Sequence, residues 1–446
     1  MGKNSKIIFL NFSPFECGAV EEHLEIMAEK GWLLQSINGL FLKFKKIKPQ
    51  KLKYSVDVLS KISEFDHKDS DLAMEYREYC EAAGWKYLCE KGKVQVFYSE
   101  NYNNTISIHT DEKEKFKSVF KASLYNAVFQ LVAVLLFIFN IYMQLFAGGA
   151  MYAVASNIAI LSVVAMVSVI FMNSTEIISF VHWTIRNKLN LKKSKNMTYN
   201  TYKQIQIKNM VRNIYKILIL IPLIKVLFFD NNSNKISGVL MLLTIAALII
   251  VPVGIKRFLD KERYSKTTNA IITVSSSVIL LYMMIMFMLG LALFGILKSE
   301  DRVAPPEKVE LTLSDFGYTE KTNTVGQGSL SENPYIRIDE SILAKTTRYS
   351  DGSENNELFY TICQSEHPWI VNFQKDRLVE RLSRWHVANL KLVDTKLPSS
   401  VKVYSDDNRE HYVVVSKNKV FEARRGLINV EEDKFLEIIY KELFKN

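Results

Sequence analysis

Ala28 to Phe44 reads AEKGWLLQSINGLFLKF, and Ala82 to Phe97 reads AAGWKYLCEKGKVQVF. Each places Gly-Trp between a run of helical spacing and a run that alternates. Ahead of the first, His23, Leu24, Met27 and Ala28 share one helix face; ahead of the second, Leu72, Met74, Tyr76, Tyr79 and Cys80 recur at helical spacing. Gly31 and Gly84 stand where a chain leaves a helix through a left-handed residue, and Trp32 and Trp85 open the strands that follow. The interval from Gly31 to Gly84 is 53 residues (84 − 31), and it recurs from Gly39 to Gly92 and from Phe44 to Phe97. Three landmarks in one ungapped register predict an internal repeat.

Each repeat also has a strand before its helix, KIIFLNF at Lys6 to Phe12 and KLKYSVDVL at Lys51 to Leu59. Two strands joined by a tight glycine turn come after it, at Asn38-Gly39 and at Lys91-Gly92-Lys93. The unit is strand, helix, strand, strand. Residues 1–110 are therefore expected to form a duplicated α+β domain with one antiparallel or mixed sheet and two helices on a single face. Packing accounts for Trp32 and Trp85, because a large ring beside a helix-ending glycine buries well against its own helix.

The amino-terminal FECGAVEEHLEIMAEKGWLL, the later YREYCEAAGWKYL ending in VQVFYSE, and the hydrophobic spans directly downstream resemble the bacterial domain-of-unknown-function family 2812. The resemblance covers about the first 105 residues. It implies a membrane-attached protein of Gram-positive bacteria with no established activity, and it transfers no catalytic residue.

A bilayer core is about 30 Å thick and takes about 20 apolar residues to cross as a helix. Five stretches qualify, near Ser123 to Phe146, Met151 to Met172, Asn213 to Phe229, Ser237 to Ile255 and Thr268 to Leu297. The third is the shortest and is interrupted by Pro222 and Lys225. The start, MGKNSKIIFLNF, lacks the apolar core and small-residue cleavage site of a signal peptide, so the amino terminus is expected to stay in the cytoplasm.

The net charge of +10 is placed unevenly. Met1 to Glu100 carries 15 basic and 15 acidic residues, and Lys298 to Asn446 carries 22 basic and 25 acidic, whereas Arg186 to Arg212 carries eight basic residues and no acid. Lys256 to Lys266 adds five basic and two acidic. With five spans these two connections share a side, which the positive-inside rule makes the cytoplasm. The membrane region is then 111–298, and residues 299–446 form an extracytoplasmic α+β domain. Topology explains the basic excess, and nucleic acid is not an expected partner.

Polar residues within apolar runs need a depth. Lys225 lies roughly 7 Å from the outer end of its span and can snorkel there. Glu176, about 37 Å along a helix from Met151, falls near the inner interface. The two belong to opposite leaflets and are not expected to pair. Asn140, Gln144 and Asn157 are suited to hydrogen bonds between helices. Lys43, Lys45, Lys46, Lys48, Lys51 and Lys53 make a basic hairpin. A solvated face is the plainer reading of it, and contact with anionic lipid heads is the functional one.

In the last third, Asp376 to Trp385 reads as an amphipathic helix; VKVYS, HYVVVS and KVFEAR read as a three-strand meander. Asn429 with Glu432 makes a helix-start box for a final helix lined by Phe435, Ile439 and Leu443. VAPPEK at Val303 to Lys308 and the polar stretch near Gly328 read as connectors. His367, His386 and His411 lack metal-ligand spacing, the four cysteines frame no disulfide set, and no nucleophile motif occurs. Neither an enzyme nor a cofactor is expected. A sensor or regulatory membrane protein is the first reading, with membrane lipids and a protein regulator as partners. An accessory or immunity protein beside a transporter or against an envelope toxin is the second, and a membrane enzyme or permease the third.

Overall fold

The computed structural model describes residues 4–445 apart from 64, 68, 103–104, 109–110, 147–149, 230–231, 263, 294–308, 319–334, 354–355, 385–388 and 426–427. Two units divide the chain. The first takes Met1–Phe137, Val167–Leu220 and Met241–Leu289; the second takes Ile138–Met166, Ile221–Leu240 and Gly290–Asn446. Val303 to Lys308, the stretch near Gly328, Trp385 and His386 lie outside the described residues.

The first unit starts with β1 (Ser5–Phe9), a 3-10 turn at Pro14–Glu16, α1 (Cys17–Glu29), β2 (Trp32–Asn38) and β3 (Phe41–Lys46). It continues with β4 (Lys53–Val58), α2 (Asp71–Ala82), β5 (Lys86–Lys91) and β6 (Val94–Ser99). Gly31 and Gly84 end α1 and α2 at φ +80° and +88°; Gly39 and Gly92 turn the hairpins at +60° and +54°. Strands pair antiparallel in the orders β1-β3-β2 and β4-β6-β5, each with a register shift, at Leu34/Ser36 and at Tyr87/Cys89.

These are two three-stranded sheets, not the one sheet expected from the sequence. The extra residue of each bulge sits in β2 or β5, where it bends the edge that a continuous ladder would need. The sheets share a core all the same. Val20, Leu24, Met27 and Ala28 of α1 pack with Leu34, Leu42 and Phe44 of the first sheet and with Tyr54 and Val56 of the second. β4 is an edge strand, and α1 satisfies its outward amides. Val56 N–H donates to Glu21 Oε1 at 2.8 Å and Tyr54 N–H to Glu25 Oε1 at 3.4 Å.

Then come α3 (Glu112–Phe146), α4 (Ala150–Ala155), α5 (Asn157–Lys192), α6 (Tyr202–Phe229), α7 (Asn232–Glu262) and α8 (Lys266–Leu293). Among the described residues α3 and α5 are long and apolar enough to cross a membrane. In α3 the change of environment is sharp. Phe116, Val119, Phe120 and Ala122 join the α1 core, while Leu124, Phe129, Leu136 and Phe139 are exposed. The second apolar stretch does not begin at Met151 as one helix, because Ser156 separates α4 from α5.

The second unit holds β7 (Tyr335–Glu340), β8 (Lys345–Ser353), β9 (Asn356–Gln364), α9 (Pro368–Arg384), β10 (Lys391–Val393), β11 (Lys402–Ser405), β12 (His411–Val415), β13 (Lys419–Arg424) and α10 (Glu432–Ile439). Its sheet is antiparallel throughout, in the order β10-β11-β12-β13-β9-β8-β7. Alternation gives it two cores. Val413 and Val420 pack with Ile370, Leu378 and Leu382 of α9, while Tyr412, Val414 and Phe421 pack with Phe435 and Ile439 of α10. The β11–β13 meander follows the sequence reading. α9 starts at Pro368, earlier than Asp376, because proline suits a first helical turn. α10 starts after Glu431, so Asn429 is not its cap.

Candidate functional site

Phe12 leads into Ser13-Pro14-Phe15-Glu16, a compact turn. Pro14 presets the backbone, and Glu16 folds back so that its Oε2 accepts from Ser13 N–H at 3.0 Å. The turn leaves Glu16 with no solvent exposure. A carboxylate held there needs a cation, and a helix far along the chain supplies it.

Lys208 of α6 places Nζ 2.5 Å from Glu16 Oε1 and 2.9 Å from Glu176 Oε2 of α5. One turn on, Arg212 adds a contact to Glu176 Oε2 at 3.4 Å and donates to Asn11 O at 3.4 Å. Arg212 also donates to Asn209 Oδ1, and Asn209 Nδ2 donates to Asn11 O at 3.2 Å. Ser13 Oγ donates to Glu176 Oε1. Two carboxylates and two cations thus form one buried, neutral cluster, which ties the Asn11–Glu16 segment to α5 and α6. Burial pushes the Glu16 carboxyl up, and the Lys208 charge pulls against it.

Aromatic rings surround the cluster. Phe15 stands 5.8 Å from Phe180 and 6.1 Å from Trp183, with Lys208 Nζ 5.5 Å above its ring. Trp183 stacks on Phe116 of α3 at 5.4 Å. The connection between α5 and α6 is fastened to the same surface. Asn187 brackets Thr198, donating to its carbonyl at 3.0 Å and accepting from its N–H at 2.8 Å. Met197 N–H donates to Glu112 Oε2 at 2.8 Å. Tyr199 lies so close to α1 that only a glycine at position 18 fits, since a Cβ there would stand 2.6 Å from the ring. His23 stacks on Tyr202 at 4.1 Å, and burial lowers its pKa to about 4, so it is neutral at physiological pH.

In the second unit the α4 to α5 junction is bound by the β7–β8 turn. Ser341 Oγ donates to Val154 O at 2.5 Å, and Ile342 N–H donates to Asn157 Oδ1 at 3.1 Å. Phe146 meets Phe373 edge-on at 6.1 Å, with the Arg377 guanidinium 5.0 Å above the Phe146 ring. Asn157, expected to bond between helices, gives its Oδ1 to a loop of the sheet domain.

The other residues singled out in the sequence take varied places. Trp85 is buried with Cys80 and Phe97, its Nε1 donating to Ile106 O at 2.9 Å; Trp32 is half-buried beneath Lys6, 5.8 Å away. Lys43, Lys45, Lys46, Lys48 and Lys51 are exposed, but Lys53 is drawn to Thr105 O at 3.2 Å, beside the Trp85 ring. Glu176 finds Lys208 and Arg212, while Lys225 lies half-buried further along α6. Lys208, Arg212 and Glu16 were missed as site residues. The local signals were there, a Ser-x-x-Glu box and a Lys-Arg pair four apart. All four cysteines are buried and free.

The strands, α1, α2 and the start of α3 make a small α+β module built onto long apolar helices. Residues 17–132 match the family model described as "Protein of unknown function (DUF2812)", so the chain carries a DUF2812-like amino-terminal domain. The match runs past the last strand into α3, whose first turns belong to the same core. Comparison with curated proteins and with solved structures finds no match.

Proposed function

We propose that this chain is a multi-pass bacterial membrane regulator, in which an outer sheet domain acts through shared helices on a cytosolic, duplicated, protein-binding domain. One observation carries the reading. α5 gives Asn157 to the loop of the sheet domain and Glu176 to the cluster that holds Ser13 and Glu16. A helix fastened near its start to one domain and further on to the other is a mechanical link, provided that two packings differ in their affinity for a ligand.

The equivalent bulges, glycine turns and strand orders of the two halves support duplication. Five spans, with the amino terminus inside and the carboxy terminus outside, fit the basic connections. The functional partner is a cytosolic regulator. The test is co-purification of the full chain in mild detergent, with a topology reporter fused after Asn446. A cytosolic regulator recovered as main partner and an outside signal uphold the reading. A transporter subunit as main partner, or a cytoplasmic signal, sinks it.

A further inference from the structure

Among the described residues, the outer face of the first sheet is left largely open. In β1 and β3, Ile8 lies opposite Leu42 and turns into the core; the alternate pairs Ile7 with Lys43 and Phe9 with Phe41 point outward. Ile7, Phe9 and Phe41 are 48%, 41% and 53% exposed, and the two phenyl rings meet edge-on at 5.8 Å. Lys43 and Lys45 flank them on β3. No carboxylate occurs in β1, β2 or β3. An apolar patch rimmed by lysines, without a single acid, is suited to an anionic surface with an oily layer beneath it.

A second observation identifies that surface. Lys216 of α6 places Nζ 5.4 Å above the Phe9 ring, and on the same helix Ile214, Ile217, Leu218 and Leu220 are exposed. The uncovered sheet face therefore continues into the uncovered apolar face of α6. Resting on the reading of α6 as a span, we propose that the outer face of β1 and β3 docks on the anionic phospholipid headgroups of the same bilayer. Phe9, Phe41 and Ile7 enter the headgroup layer, while Lys43, Lys45 and Lys216 meet phosphates. Lys46 and Lys53 are not part of this surface. Lys53 is held at Thr105, and Lys46 falls on the core side of its strand, opposite Trp32.

The experiment uses the full chain in vesicles of phosphatidylcholine, with and without one-third phosphatidylglycerol. Phe41→Cys is labelled with a small fluorophore, the four native cysteines being buried. Quenching by lipids brominated in the upper acyl chain is compared with quenching by aqueous iodide. The expected result is strong lipid quenching that depends on phosphatidylglycerol. Lys43→Gln with Lys45→Gln should lower the docked-to-undocked ratio about 25-fold, at about fivefold per lysine. A label open to iodide in both mixtures overturns the proposal, and so does one shielded from iodide without lipid quenching, which would assign the face to a protein. A label at Ile217→Cys separates the causes of failure. If it is quenched and Phe41→Cys is not, docking alone is wrong; if neither is quenched, the reading of α6 as a span falls with it.

Discussion

Lys208 Nζ stands 2.5 Å from Oε1 of Glu16, a carboxylate that the first unit buries completely. The pair lies 192 positions apart (208 − 16), and it fixes how the amino-terminal domain is held on α5 and α6.

Lys208→Met would leave Glu16 and Glu176 buried with Arg212 as the remaining cation of the cluster. Breaking a buried pair by removing one partner costs about 3–5 kcal/mol, so the variant should unfold far earlier than wild type in a thermal scan of the detergent-solubilised chain. Adding Glu16→Gln should recover much of the loss. Additive losses in the double variant would show that the two residues do not share an interaction.

Glu21 gives a pH dependence with a definite sign. Burial raises its pKa to about 7. The folded form thus holds a proton that the unfolded form releases near the ordinary carboxylate value. This contribution to stability is fully present below that value and is lost as pH rises to about 7. Glu21→Gln should be more stable than wild type by on the order of 2 kcal/mol at pH 8, and the difference should shrink towards pH 5. A wild-type advantage that grew with pH would contradict the assignment.

Gly18 and Tyr199 should be coupled. A methyl group at position 18 would collide with the Tyr199 ring at 2.6 Å, and the ring is pinned by Lys115 above it at 5.5 Å. Gly18→Ala is expected to cost about 1–3 kcal/mol by overpacking. Tyr199→Ala should restore tolerance of alanine at 18, which thermal shifts of the two single variants and the double variant would read.

The two helix-ending glycines should differ. Both need positive φ, which costs an ordinary residue about 1–2 kcal/mol. A Cβ at Gly31 would also stand 2.9 Å from the Ile47 carbonyl oxygen, whereas Gly84 has open space. Gly31→Ala should therefore lower the unfolding temperature more than Gly84→Ala. Equal losses would mean that the backbone conformation alone sets the cost.

Local order was legible in the sequence where local chemistry determines it. The Gly-Trp joints, the hairpin glycines, the exposed run after Ser123 in α3 and the β11–β13 meander all rest on residues within a few positions of each other. Long-range pairing was not legible. Whether β2 and β5 zip together depends on bulges in two edges, and periodicity does not report an extra residue in a ladder. Strands β7 to β10 were missed; β8 (KTTRYSDGS) carries no apolar alternation, and β10 is three residues long. The cluster was hidden for a related reason. Lys208 and Arg212, in the first turns of α6, belong to a basic stretch whose charge topology already explains, and nothing near them in sequence points to Glu16.

The most direct test of the link through α5 is amide hydrogen exchange on the full chain in lipid nanodiscs, comparing wild type with Asn157→Ala. The substitution removes the acceptor of the Ile342 N–H and leaves Ser13, Glu16, Glu176 and Lys208 untouched. The account predicts faster exchange in Asn11 to Ala28, around the buried cluster, as well as in the β7–β8 turn. Faster exchange confined to the β7–β8 turn, with Asn11 to Ala28 unchanged, would contradict it.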